Sequence, residues 1–127
     1  CLGMQLMTEG SDEGKLPGLG WIEGSAKKFS SQNNGEKIRI PHMGWNILKP
    51  SNGSENTIFK SNFEELRFYF VHSYYVNIKN QEENAGLTEY GQKFVSAFKK
   101  DNIIGMQFHP EKSHKFGMSI LKNFIDI

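Results

Sequence analysis

The chain has 127 residues, 15 Lys and Arg against 14 Asp and Glu, and a net charge of +1. That length fits one domain around a single core, and so small a charge leaves no long-range field to attract nucleic acid or a membrane surface. The single cysteine excludes an intrachain disulfide and suits a reducing, cytoplasmic setting, and no apolar run reaches the length of a membrane span.

A short apolar helix is expected from Leu2 to Thr8, then a loop over 11–18 containing Gly14, Pro17 and Gly18. Trp21 to Phe29 reads as a strand, and the Ser, Asn and Gly of 30–35 as a second loop. Lys37 to Ile40 alternates polar and apolar residues, as Leu66 to Val71 does in part, so both are expected strands. Between them, 50–56 carries strong turn chemistry. Phe94 to Phe98 and Ile103 to Phe108 are expected strands joined by a hairpin turn at 99–102. Ser113 to Ile125 spaces Phe116, Ile120 and Phe124 four apart, one buried helical stripe with Ser113 as N-cap. The aromatic residues Phe68, Tyr69, Phe70, Tyr74 and Tyr75 read as packing. Strands in the middle with helices at the flanks fit the second half of an α/β domain better than a complete doubly wound one.

The chemistry concentrates at the two ends. Cys1 is the only thiol, and a helix beginning at Leu2 would aim its free N–H groups at the sulfur and favour thiolate. Gly3 would let a substrate approach. The plainer reading of a lone cysteine is a buried apolar residue. His109 follows the apolar run Ile103 to Phe108, so it would emerge at a strand's C-terminal end, where open α/β sheets place their sites. Pro110 stiffens the turn, and Glu111 could orient the imidazole. Cys1, His109 and Glu111 together can make a thiolate nucleophile and the base that serves it. A first-residue nucleophile with no initiator Met and no preceding strand is what a fragment or processed product would show.

The stretches Cys-Leu-Gly-Met-Gln-Leu-Met (1–7), Gly-Leu-Gly-Trp-Ile (18–22), Pro-His-Met-Gly-Trp-Asn (41–46), Tyr-Phe-Val-His-Ser-Tyr (69–74) and Gly-Met-Gln-Phe-His-Pro-Glu-Lys-Ser (105–113) carry a family resemblance from end to end. The chain resembles the class I, triad-type glutamine amidotransferases. Within them it is similar to the glutaminase subunits of imidazole glycerol phosphate synthases and to their paralogues in surface-sugar gene sets. The resemblance implies the C-terminal part of a three-layer, flavodoxin-like α/β domain, incomplete before residue 1. It implies Cys1 as the nucleophile forming a γ-glutamyl thioester, His109 as base and Glu111 as the residue that orients it. Leu2 would supply an oxyanion-hole N–H, and Gln5, Glu13, His72, Ser73 and Tyr74 would hold substrate glutamine. Pro41, His42, Met43, Gly44, Trp45, Asn46 and Lys112 would face a synthase subunit in a heterodimer, which receives the ammonia to form imidazole glycerol phosphate and AICAR in histidine biosynthesis. No cofactor, metal, nucleic acid or membrane is implied. Such a subunit would be nearly idle alone and switch on in the complex, and residues 1–127 by themselves would be poorly folded and inactive.

Other readings stand beside these. Trp45 could be core. His72, among aromatic neighbours, fits a satisfied core histidine as well as a pocket residue. An N-terminal cysteine can be activated by its own α-amine, as in N-terminal-nucleophile amidotransferases, but His109 and Glu111 would then have no task. A catalytically dead interaction subunit is disfavoured by the intact Cys1, His109 and Glu111. A paralogue supplying ammonia for surface-sugar synthesis is a further alternative, since 18–22 and 112–117 resemble both groups.

Overall fold

The computed structural model describes Cys1 to Ile127 except Asn34, a residue of the loop expected over 30–35 that lies outside the described residues. Helix α1 (Leu2–Leu6) comes first, with Cys1 at its N-cap. It ends before the expected Thr8 because 18–22 crosses its end: Leu19 N donates to Leu6 O, Ile22 N to Met7 O and Gly20 N to Thr8 O. These bonds satisfy carbonyls that the helix end leaves free. A Cβ on residue 18 would lie 2.0 Å from Thr8 O, so Gly18 alone permits the crossing.

Strand β1 (Gly24–Lys28) is the centre of the run expected from Trp21 to Phe29. The two-residue strands β2 (Gln32–Asn33) and β3 (Glu36–Lys37) pair with each other. The strand expected over Lys37 to Ile40 thus ends at its first residue, while Ile38 and Ile40 pack on the core as loop side chains. Besides β2, which falls in the loop expected over 30–35, three strands lie outside every expected one: β4 (His42–Pro50), β6 (Tyr74–Ile78) and β7 (Asn84–Tyr90), whereas β5 (Leu66–His72) matches its pattern. Strands β8 (Gln92–Lys100) and β9 (Ile103–Met106) form the expected hairpin, but β8 runs through Lys99 and Lys100, leaving Asp101 and Asn102 as the turn, with Asp101 at φ 51°. A 3-10 turn, Pro110–Lys112, leads into α2 (His114–Asp126).

Seven strands make one sheet in the order β1-β6-β8-β7-β4-β5, with β9 beside β8, and every ladder in it is antiparallel. The result is a mixed α/β fold with strands in the middle and helices at the flanks. Strand β8 explains the core. Its residues Phe94 to Phe98 are all buried, as a strand covered on both faces requires. Phe94 and Ala97 join a cluster with Phe29, Leu48, Phe68, Phe70, Phe108 and Ile120. Val95 and Phe98 join Met4, Ile22, Val76 and Ile78, which fastens α1 to the sheet. Of the helical stripe expected on α2, Ile120 is buried and Phe116 half-buried, while Phe124 is exposed. Among the described residues no helix is long and apolar enough to cross a membrane.

Candidate active site

The two chain ends meet at the sheet. The Cys1 nitrogen donates to Met106 O at 2.8 Å, tying the start of α1 to the end of β9. The half-buried sulfur has two neighbours: Gln107 Nε2 donates to it at 3.0 Å, and Val71 O of β5 lies 3.9 Å away. His109 is hung on the same strand, its N–H donating to Tyr69 O at 3.0 Å. The Cys1 thiol and the His109 backbone therefore meet β5 two residues apart, on carbonyls that point the same way.

The imidazole is oriented from behind. His109 Nδ1 donates to Glu111 Oε1 at 2.8 Å, which places its proton there and leaves Nε2 as the basic nitrogen. Nε2 is buried and has no hydrogen-bond partner among the described residues. A base that serves the thiol would be expected within hydrogen-bond reach of it, but no Cys1–His109 hydrogen bond is made in this arrangement; Gln107 bonds the sulfur instead. Desolvation works against the charge on Glu111, but its own backbone N–H, the His109 hydrogen bond and the nearby Lys112 outweigh it and lower its pKa. Ser113 is the N-cap residue of α2, as expected, but its side chain makes no cap hydrogen bond to the helix. Its hydroxyl donates to His109 O at 2.6 Å and accepts from Tyr69 N at 3.0 Å, so it fixes the turn that carries His109 and Glu111 to β5.

A cleft of about 410 Å³ lies beside α1, with Leu2, Gln5 and Glu13 among its walls. Gln5 is buried, and its Nε2 donates to Tyr74 O and to Gln107 Oε1. Its Oε1 makes no hydrogen bond among the described residues. The segment 72–74 is not part of the cleft lining, contrary to expectation. His72 is buried and committed to structure: Nδ1 donates to Tyr74 O at 2.7 Å, and Nε2 meets His42 Nδ1 at 2.9 Å. Ser73 lies in the bend between β5 and β6, and its carbonyl accepts from Phe29 N. Tyr74 reaches the cleft only through its carbonyl bond to Gln5.

The segment 41–46 divides by strand alternation. Pro41, Met43 and Trp45 are exposed, as is Lys112. Trp45 is not core; its ring stacks on His114 at 5.7 Å. His42, expected at a surface, is buried between the rings of Phe70 and Tyr90. Asn46 is also turned inward, its Nδ2 reaching His42 Nε2 and Glu89 O. Gly44 adopts φ +122°, which a side chain would resist. Among the described residues, no group of three or more His, Cys, Asp or Glu could hold a metal ion.

Gln107 is the residue that sequence reasoning passed over. Its signal was available: an amide within the apolar run Ile103 to Phe108, two positions before His109.

The structure thus sets a thiol at a helix start and an imidazole held by a carboxylate against one strand, with a cleft along the same helix. The chain belongs to the class-I glutamine amidotransferase family, which it matches across residues 1–127. It is 52% identical to imidazole glycerol phosphate synthase subunit HisH 2 of Methanococcus maripaludis, over 98% of this chain and 59% of that protein. It is 46% identical to the HisH 2 subunit of Pseudomonas aeruginosa, over 100% of this chain and 60% of the relative. With the HisH subunit of Bdellovibrio bacteriovorus it shares 46% identity, over 100% and 61% of the two chains. The chain spans about three fifths of the length of the curated relatives it matches.

Proposed function

We propose that this chain supplies the nucleophile, base and part of the glutamine pocket of a glutaminase. The observation that carries the proposal is the His109–Glu111 pair, whose Nε2 is buried without a partner among the described residues and whose backbone N–H is tied to the strand that also meets Cys1 Sγ. In the reaction, Cys1 passes its proton to His109 Nε2 and attacks the glutamine carboxamide as the thiolate, while the Leu2 N–H donates to the developing oxyanion. His109, protonated at Nε2, gives its proton to the departing ammonia, leaving a γ-glutamyl thioester on Cys1. Water then attacks the thioester with His109 as base, releasing glutamate and restoring the thiol. Gln5 and Glu13 line the cleft where the substrate's polar groups would lie.

The names of the relatives favour delivery of the ammonia to a synthase subunit of the imidazole glycerol phosphate type, hence histidine biosynthesis, over the surface-sugar alternative. The exposed Met43, Trp45 and Lys112 are the residues of this chain that would meet that subunit in a heterodimer. The test is Cys1→Ser in the full-length protein bound to its synthase. Glutamine hydrolysis should fall by several orders of magnitude while the complex persists. Hydrolysis at the original rate would remove Cys1 from the mechanism.

A further inference from the structure

The sulfur's shortest contact is not with the histidine but with an amide, and the orientation of that amide follows from its surroundings. Tyr74 O is a carbonyl and can only accept, so the Gln5 end that meets it at 3.2 Å must be the nitrogen. That same nitrogen lies 3.3 Å from Gln107, so the Gln107 atom facing it must be the oxygen. The other end of the Gln107 amide, 3.0 Å from Cys1 Sγ, is then Nε2, a donor. The second lone pair of Tyr74 O is filled by His72 Nδ1 at 2.7 Å, which leaves the carbonyl no freedom to turn. Gln107 is fully buried, so this N–H has no water to compete for it.

A thiol can accept from Gln107 and donate weakly towards Val71 O, 3.9 Å away. A thiolate loses the second contact and strengthens the first, because a donor is worth more to a charged acceptor than to a neutral one. We propose that Gln107 is a catalytic residue of this centre, its Nε2–H stabilising the negative charge on Cys1 Sγ before attack, with Gln5 as the positioning residue that aims it. This rests on the glutaminase reading for its consequence in turnover, but not for its effect on the sulfur.

The experiment separates the two. In the full-length protein with its synthase, Gln107→Met keeps the side-chain length and removes the donor. Alkylation of Cys1 by iodoacetamide, followed by mass spectrometry of the Cys1 peptide across pH, reads the thiolate without any glutamine. Loss of one hydrogen bond to a charged group should slow alkylation near neutrality by about ten- to a hundredfold and move its midpoint to higher pH. Glutamine turnover should show the loss in kcat with KM unchanged, since Gln107 holds the sulfur and not the substrate. An unmoved midpoint in a folded variant overturns the proposal, whatever the glutaminase assay shows. Should Gln107→Met fail to fold, the unaltered protein decides: the Gln107 side-chain amide proton signals must shift with the same pH midpoint as Cys1 alkylation. Amide signals indifferent to that ionisation would equally overturn it.

Discussion

Two histidines show how a residue's neighbours settle its role. His72 donates from Nδ1 to Tyr74 O, so its Nε2 is bare and accepts from His42 Nδ1; His42 Nε2 in turn accepts from Asn46. This directed chain requires both rings to be neutral. Burial, and secondarily His72, pushes His42 down from 6.5 to about 3. Burial likewise pushes His72 to about 4, against the opposing pull of Tyr74 O. In the unfolded chain both protonate near 6.5, so below that pH the unfolded state binds protons that the native state refuses. Stability is therefore full above pH 6.5 and is lost as pH falls towards 4, with a slope of about 1.4 kcal/mol per pH unit for each histidine. Denaturant titrations from pH 7 to 4 should show this, and His42→Phe should remove about one proton's share of the slope. The same variant should cost about 1–3 kcal/mol at pH 7 by leaving His72 Nε2 without its donor. A pH-independent stability over that range would refute the assignment. The sequence carried the core reading of His72 as one of two, but not the burial of His42, because a histidine in a motif of exposed residues gives no sign of which face it takes.

At the scale of elements, the proposed catalytic turn depends on how closely α2 approaches it. A Cβ on residue 117 would lie 1.8 Å from Pro110 O, so helix and turn can touch only at glycine. Gly117→Ala must push the turn away or tilt the helix, at a cost of about 1–3 kcal/mol or more. The displaced turn carries Glu111, so glutamine turnover in the assembled enzyme should fall along with the melting temperature. Normal stability and turnover in that variant would show that the contact is not needed. Strand β5 and the β8–β9 hairpin were legible because their apolar residues alternate or run continuously between turn residues. Strand β7 was not. Asn84, Ala85 and Gly86 have poor strand propensity, and this segment is a strand because β4 and β8 pair with it on either side. Gly86 belongs there for packing, since a Cβ would meet the Leu48 side chain at 2.9 Å. Tertiary pairing of this kind leaves no local trace.

For the whole molecule, the sheet sorts one motif into an inner and an outer function. His42 and Asn46 turn into the fold, while Met43 and Trp45 of the same strand remain exposed. Resemblance assigned all of 41–46 to one face, because a motif read along the chain has no pleat. Trp45 is 48% exposed yet held, stacked on His114 at 5.7 Å and edge-on to Tyr69 at 6.2 Å. A large aromatic ring that is fixed before binding loses little entropy when covered, which is the usual character of an interface anchor. Its rear neighbour Tyr69 gives its carbonyl to His109 and its N–H to Ser113. The proposed partner face and the proposed catalytic turn therefore share strand β5. Trp45→Ala should weaken binding to the synthase subunit by about tenfold or more, measured by titration calorimetry, while changing the melting temperature of the free protein little. His42→Phe should do the reverse, lowering stability and leaving the affinity of the folded fraction nearly intact. If both variants weakened binding equally at equal stability, the division of β4 into an outer docking face and an inner structural face would be wrong.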